Sequence, residues 1–301
     1  MNLAVKLPGQ ARRGHDGSVQ PRVTSAEQPA RARQASALGV LLLAMMAAAA
    51  WAGVVAIAGP MTAITGAMGL SAGVFAAVWT LMMAAMMLPS ISPAGARYAQ
   101  AMRGRAAAGV TGLAIGYLAV WAAASVPGYG LARLAGWLGA SHPSAARVLA
   151  VAVFAGCGLY QLSGPKRRCL ERCRGSLDLL PHEGTRPRWT ADLRAGARLG
   201  KYCVGSSVGL MLILFVAGLM NLAAMAGLAV VILAEKAWVR GQVARRVVGA
   251  AALALALAVV WLPWLAPGLR AAPAMHPMKT ASAMVNRADG AVRSAVPARA
   301  A

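Results

Sequence analysis

Long apolar runs constrain this chain more than any other feature of its sequence. They lie near residues 37–58, 73–91, 107–126, 145–163, 203–234 and 247–265. A helix of about 20 apolar residues crosses the roughly 30 Å hydrocarbon core of a bilayer. Most of the runs are close to that length. We therefore predict an all-α protein, a polytopic transmembrane helical bundle.

The composition agrees with a membrane location. Hydrophobic residues make up 59% of the 301 residues and charged residues only 13%, whereas soluble domains carry about 25% charged residues. The net charge of +22 does not indicate nucleic-acid binding, because the cations flank the apolar runs and no nucleic-acid-binding motif accompanies them. Such cations are typical of topology signals and of a surface that faces anionic lipid. The lipid bilayer is therefore the expected partner, and a nucleic acid is not.

The distribution of Lys and Arg predicts the domains and their orientation. Residues 1–35 form a polar basic tail that we expect to be disordered and cytoplasmic, 36–265 form the transmembrane domain, and 266–301 form a disordered Ala/Pro/Arg-rich tail. Loop 59–72 contains no Lys or Arg, which suits the outside. Loop 164–202 contains ten Lys/Arg against four acids, which suits the cytoplasm. We predict a multi-pass protein of the bacterial inner membrane with a cytoplasmic N-terminus.

The run 203–234 leaves the number of spans open. As one helix the run is about 48 Å long, which is long for a single crossing. Divided into two helices, it is short for two crossings. The basic residues within 235–246 favour two short helices that turn near Met220–Asn221. A single tilted helix would instead place the tail 266–301, with five basic residues, inside. Six and seven spans are both compatible with the sequence. Six is preferred because Asn221 alone is a weak turn signal.

Cysteine thiols have the most distinctive chemistry in the chain. Cys169 and Cys173 have i, i+4 spacing, so on a helix their sulfurs share one face. Neighbouring arginines favour the thiolate form that ligates metals. Cys203 opens the run 203–234 at the same predicted cytoplasmic boundary, and thiolates prefer Cu(I). These three cysteines predict a Cu(I) site, the alternative being ordinary reduced residues. Cys157 lies within an apolar run, where we expect a small buried hydrophobic residue.

The segment WTLMMAAMMLPS, residues 79–90, adds four methionines before Pro89. Met82, Met83, Met86 and Met87 occupy an arc of roughly 140° on a helix. Thioethers are Cu(I) ligands, but methionine also fills irregular gaps between helices. Spacing alone is compatible with both interpretations.

Three polar residues stand in or beside the run 203–234. Asn221 needs a hydrogen-bonding partner, so it is expected to bond another helix or to mark a turn. Glu235 and Lys236 are expected to mark the membrane boundary, with Lys236 extending toward the interface.

Motifs of familiar enzymes are missing from the sequence. It has no Walker loop, no G-x-S-x-G and no H-E-x-x-H, and no paired carboxylates lie within an apolar run. The four histidines lack metal-binding spacing. We therefore expect a protein that is not an enzyme. A small-solute permease would need an internal repeat and polar or charged residues at mid-membrane, and the sequence shows neither clearly.

Several segments, taken in order, resemble a known family. They are WTLMMAAMMLPS (79–90), YQLSGPKRRCLERCR (160–174), GKYCVGSSVGLM (200–211), GLMNL (218–222) and EK (235–236). Together they are similar to a bacterial domain-of-unknown-function family of predicted metal-binding integral membrane proteins, sometimes labelled copper chaperones. The resemblance covers about residues 75–240. It implies copper(I) as the bound ion and a copper-accepting or copper-donating protein as partner.

The resemblance also implies which residues hold the metal. The methionine–proline motif of the family falls on Met82, Met83, Met86, Met87 and Pro89, the loop cysteines on Cys169 and Cys173, and the Tyr-Cys pair on Tyr202 and Cys203. This chain departs from the family after that pair, where two adjacent cysteines and a Trp are replaced by Ser206, Ser207 and Val208. Serine is a hard, weak ligand for Cu(I). The chain has therefore kept a smaller site or has lost the function.

The sequence thus predicts a membrane protein that binds or hands on a soft metal ion, most simply Cu(I), by ligand exchange. Thiolates would capture the ion at the cytoplasmic face, and methionine thioethers would offer weaker sites within the bundle. The alternative is a non-metal membrane scaffold or assembly partner in which Met and Gly serve helix packing.

Overall fold

The computed structural model describes residues 27–61, 70–102, 104–175, 189–237 and 241–262. Within these ranges the chain is helical and contains no strand. The elements are α1 (Glu27–Met61), α2 (Ala72–Met87), a 3-10 turn (Pro89–Ile91), α3 (Ser92–Ala101), α4 (Ala106–Ser141), α5 (Pro143–Leu162), α6 (Gly164–Gly175), α7 (Trp189–Ala217), α8 (Leu222–Ala237) and α9 (Gly241–Trp261).

Length and apolar composition identify the spanning helices. Among the described residues, α1, α4, α5, α7 and α9 are long and apolar enough to cross a membrane. Helices α2 and α3 are bent by 45° at a short break and qualify as a sixth span when taken together. Pro89 lies in that break, where its ring and missing N–H prevent a continuous helix. The prediction of an all-α multi-pass membrane bundle is confirmed.

The preferred single helix over 203–234 is wrong. Helix α7 ends at Ala217 and α8 begins at Leu222. Gly218 between them has a φ of 97°, a left-handed conformation that glycine adopts without steric cost. The side-chain oxygen of Asn221 accepts a hydrogen bond of 3.1 Å from the Ala224 N–H and so caps α8. The count of up to six spans is kept because α2 and α3 together qualify as one bent span, and α8, with 16 residues, is shorter than the helices that qualify.

Several predicted boundaries differ from those of the structure. Helix α1 already begins at Glu27, inside the predicted tail 1–35. Both ends of the predicted loop 164–202 are helical, since α6 and the first half of α7 fall there. The tail 266–301 lies outside the described residues.

Small residues allow α4 and α7 to pack closely. A Cβ atom added at Gly116 would collide with the backbone of Leu193, and one added at Gly196 would collide with the carbonyl of Leu113. Close approach through small residues is typical of helix pairs in membranes. One buried apolar cluster then connects α1, α2 and α4 to α6, α7 and α8. That cluster holds the sulfur atoms considered next.

Candidate metal centre

The four methionines of segment 79–90 lie in the last two turns of α2 and point into the core. Met82, Met83, Met86 and Met87 are each no more than 1% exposed. They share one buried cluster with the thiols of Cys173 and Cys203. Thioether and thiol sulfurs therefore belong to the same buried core.

The bend after α2 supplies a hydroxyl group near these sulfurs. Pro89 ends the regular hydrogen bonding of α2, and Ser90 donates a hydrogen bond of 2.7 Å from Oγ to the carbonyl oxygen of Met87. The same Oγ accepts a hydrogen bond of 3.3 Å from Lys236 Nζ. Ser90 thus connects the bend to the end of α8.

Cys203 lies at the centre of the site and is completely buried. Its Sγ accepts a hydrogen bond of 2.7 Å from Lys236 Nζ and lies 2.8 Å from the hydroxyl oxygen of Tyr117. The thiol of Cys173, on α6, forms a further hydrogen bond with it. Four helices, α4, α6, α7 and α8, therefore meet at this one sulfur atom.

Cys173 is the second thiol of this arrangement. The hydrogen bond to Cys203, together with burial, raises the pKa of the Cys173 thiol well above its usual range. We call Cys173 and Cys203 the thiol pair.

Cys169 lies on the same helix as Cys173, one turn earlier, as the i, i+4 spacing predicts. It is partly exposed and faces α7, because a Cβ atom added at Gly205 would lie 2.8 Å from Cys169 Sγ. Within the described residues, however, no group of three His, Cys, Asp or Glu side chains is arranged to hold a metal ion. The structure thus brings Cys173 and Cys203 together. Cys169, the third predicted cysteine, lies one turn from Cys173 but outside this pair.

A buried ion pair lies next to the thiol pair. Lys166 Nζ and Glu235 Oε2 are 2.8 Å apart, and their side chains are 1% and 3% exposed. Gln161 donates a further hydrogen bond of 2.9 Å to Glu235 Oε1, and Arg245 donates one of 2.6 Å to the Gln161 carbonyl. Burial lowers the pKa of Lys166, while Glu235 acts in the opposite direction. These contacts connect α6, which carries Cys169 and Cys173, to α5, α8 and α9.

The sequence of this chain matches a family described as PpoB2, copper chaperone, over residues 76–259. This match covers more than half of the 301 residues. The chain belongs to this copper chaperone family. The match starts close to the predicted boundary of 75–240 and extends further, to residue 259 within the last turn of α9. No curated protein and no solved structure matches the chain.

This copper chaperone family member carries two serines close to Cys203 on α7. Ser206 and Ser207 are both 1% exposed. Ser206 Oγ donates a hydrogen bond of 2.9 Å to the carbonyl oxygen of Cys203. Ser207 Oγ is buried without a hydrogen-bond partner among the described residues. Ser206 is therefore engaged with the backbone beside Cys203, as serines within helices commonly are.

The predicted extension of Lys236 toward the membrane interface is wrong, because both Glu235 and Lys236 are buried within the protein. Glu235 is 2% exposed and Lys236 is 7% exposed. Lys236 does not extend toward the interface, because Cys203 and Ser90 offer buried acceptors for its ammonium group. Cys157, by contrast, is 2% exposed within the core, as expected.

Sequence reasoning missed Tyr117, Ser90 and Lys166. Nothing in the apolar run around Tyr117 marks that residue. The sequence does indicate that Lys236 lies near Cys203, but only once the turn at 218–221 is known. Lys236 and Cys203 lie nearly the same number of residues on either side of that turn, so an antiparallel hairpin of α7 and α8 places them at the same level.

A cavity of about 150 Å³ opens beside Lys236 and Cys173. Its lining consists of Ser90, Pro93, Ala94, Arg97, Cys173, Arg174, Lys236 and Ala237. The cavity extends from Cys173 and Lys236 to the basic side chains of Arg97 on α3 and Arg174 on α6. It offers space beside a sulfur atom that is otherwise buried.

Proposed function

We propose that this protein binds Cu(I) and hands it on, with the thiol pair as its central site. The observation that carries the proposal is the direct contact of Cys173 with Cys203 on two different helices. Two thiolates suffice for the low coordination numbers that Cu(I) accepts, and soft sulfur ligands select this ion. The description of the family as copper chaperones supports the same ion.

Cys169 and the methionines of α2 extend the proposed site in two directions. Cys169 is partly exposed and lies one turn from Cys173, so it would exchange copper with a donor or acceptor protein. Met82, Met83, Met86 and Met87 are buried in the same cluster and would offer weaker thioether ligands. At each step one Cu–S bond forms as another breaks, and the copper stays Cu(I). The protein would act as a carrier and not as an enzyme.

The proposed location is the bacterial inner membrane with a cytoplasmic N-terminus. The basic segment 164–202 contains α6 with its two cysteines, and Lys/Arg-rich segments are retained in the cytoplasm. Cu(I) would then be exchanged at the cytoplasmic face. The partner would be a copper-accepting or copper-donating protein.

A chelator-competition titration of the reduced, purified protein tests this proposal. We expect Cu(I) binding in the wild-type protein and its loss in Cys169→Ser/Cys173→Ser/Cys203→Ser. Cys157→Ser is a matched control, because it makes the same substitution at a buried cysteine outside the thiol pair, and it is expected to bind Cu(I) as the wild type does. Absence of binding in the wild type, or equal binding in the triple variant, would refute the proposal.

The burial of the methionines favours a second candidate function. All four are at most 1% exposed, and packing alone accounts for such burial. In that case the protein would be a membrane scaffold or assembly partner that binds no metal.

A further inference from the structure

The ammonium group of Lys236 is held against the thiol pair. Lys236 is 7% exposed, and its Nζ lies 2.7 Å from Cys203 Sγ and 3.3 Å from Ser90 Oγ. We infer that Lys236 makes this site selective for monovalent soft ions over divalent ions such as Zn(II). The inference rests on the proposed function and names its specificity-determining residue.

The charges of a loaded site explain the selectivity. Metal binding releases the thiol protons to solvent. The two thiolates then carry two negative charges, so the complex with Cu(I) or Ag(I) has a net charge of −1. The adjacent Lys236 ammonium balances that charge. A Zn(II) complex of the same thiolates is neutral, which leaves the ammonium unbalanced in a buried environment. An unbalanced buried charge is strongly unfavourable.

The other charged groups near the site do not change this balance. Glu235 is already paired with Lys166 at 2.8 Å, so that pair contributes no net charge. The residues that line the adjacent cavity include Arg97 and Arg174 but no acid. No acid in this lining therefore offsets the charge of Lys236.

The number of available ligands also favours Cu(I) over Zn(II). Zn(II) takes four ligands in protein sites. Among the described residues no third His, Cys, Asp or Glu side chain completes a metal-binding group with the thiol pair. Tyr117 and Lys236 occupy two sides of Cys203 Sγ. The site therefore suits an ion of low charge and low coordination number.

Competition titrations with Cu(I) and with Zn(II) on the purified full chain test the role of Lys236. Lys236→Met removes the charge at similar length, and we expect the ratio of Cu(I) to Zn(II) affinity to fall on the order of tenfold to 100-fold. Lys236→Arg keeps the charge and is expected to keep the ratio within about threefold of the wild type. Lys201→Met, at an exposed lysine near Cys203, is the matched control and is also expected to keep it.

A second variant tests the same inference if Lys236→Met does not fold. Ser90→Asp places a carboxylate beside the ammonium without removing it, and the affinity ratio is again expected to fall at least about tenfold. An unchanged ratio in folded Lys236→Met, or in Ser90→Asp if the first variant is unfolded, would overturn the selectivity role alone. A wild-type protein that binds no Cu(I) would overturn the proposed function and this inference with it.

Discussion

Removal of the carboxylate at Glu235 should destabilise the fold far more than an ordinary loss of charge. Lys166 and Glu235 are 1% and 3% exposed and lie 2.8 Å apart. Their attraction is about 6 kcal/mol at an effective dielectric constant of about 20. Breaking a buried pair by removing one partner costs about 3–5 kcal/mol, because the other charge is left uncompensated. We take the lower end of this range for Glu235→Gln, since the new amide can still accept a hydrogen bond from Lys166.

Thermal unfolding in detergent micelles, followed by far-UV circular dichroism, measures the effect. At about 2–4 °C per kcal/mol for a chain of this size, a loss of about 3 kcal/mol lowers the midpoint of Glu235→Gln by roughly 10 °C. Glu171→Gln is a matched control on α6, because the Arg167–Glu171 pair is 57% and 58% exposed at 3.7 Å. Exposed pairs of this kind contribute about 0–1 kcal/mol, so its midpoint should stay close to that of the wild type.

The pH dependence of stability provides a second measurement on Glu235→Gln. Burial lowers the pKa of Lys166, and Glu235→Gln removes the carboxylate that acts against this shift. The folded state then binds fewer protons than the unfolded state, so stability rises with pH until it approaches the usual lysine pKa of about 10.4. The deficit of Glu235→Gln should therefore shrink as the pH is raised. A variant that melts within about 2 °C of Glu171→Gln, or whose deficit does not change with pH, would refute this reasoning.

Two further predictions concern the methionines and the packing of α4 against α7. Replacing Met82, Met83, Met86 and Met87 together by Leu should leave the protein folded, because each volume-conserving swap costs less than about 1.5 kcal/mol. The same variant should bind fewer Cu(I) ions in the competition titration, and unchanged binding would show that the four methionines serve packing and are not ligands. Gly196→Ala should destabilise the protein by about 1–3 kcal/mol in the thermal assay, because its Cβ would meet the carbonyl of Leu113. Gly227→Ala, where a Cβ meets open space, is the control, and an equal loss of stability in both variants would contradict the packing argument.

The membrane bundle and part of the candidate site follow from local properties of the sequence. Apolar runs of spanning length determine helices, because the bilayer offers no other partner for backbone groups. The i, i+4 spacing places Cys169 and Cys173 on one face of α6. The turn near Asn221 was visible as an alternative in the sequence, but the choice between one helix and two depended on a cap and on the left-handed backbone of Gly218.

Only the tertiary structure decided which side chains surround Cys203. The contacts of its sulfur with Tyr117, Cys173 and Lys236 join residues of four helices that lie far beyond one helical turn from Cys203 in the sequence, and no periodicity encodes such contacts. A lysine at the end of an apolar run can reach the interface or find buried acceptors. The apolar run alone is compatible with both outcomes. The packing of α8 against α7 and against the bend at Pro89 places two acceptors within reach of Lys236, and this is why its charge lies inside the bundle.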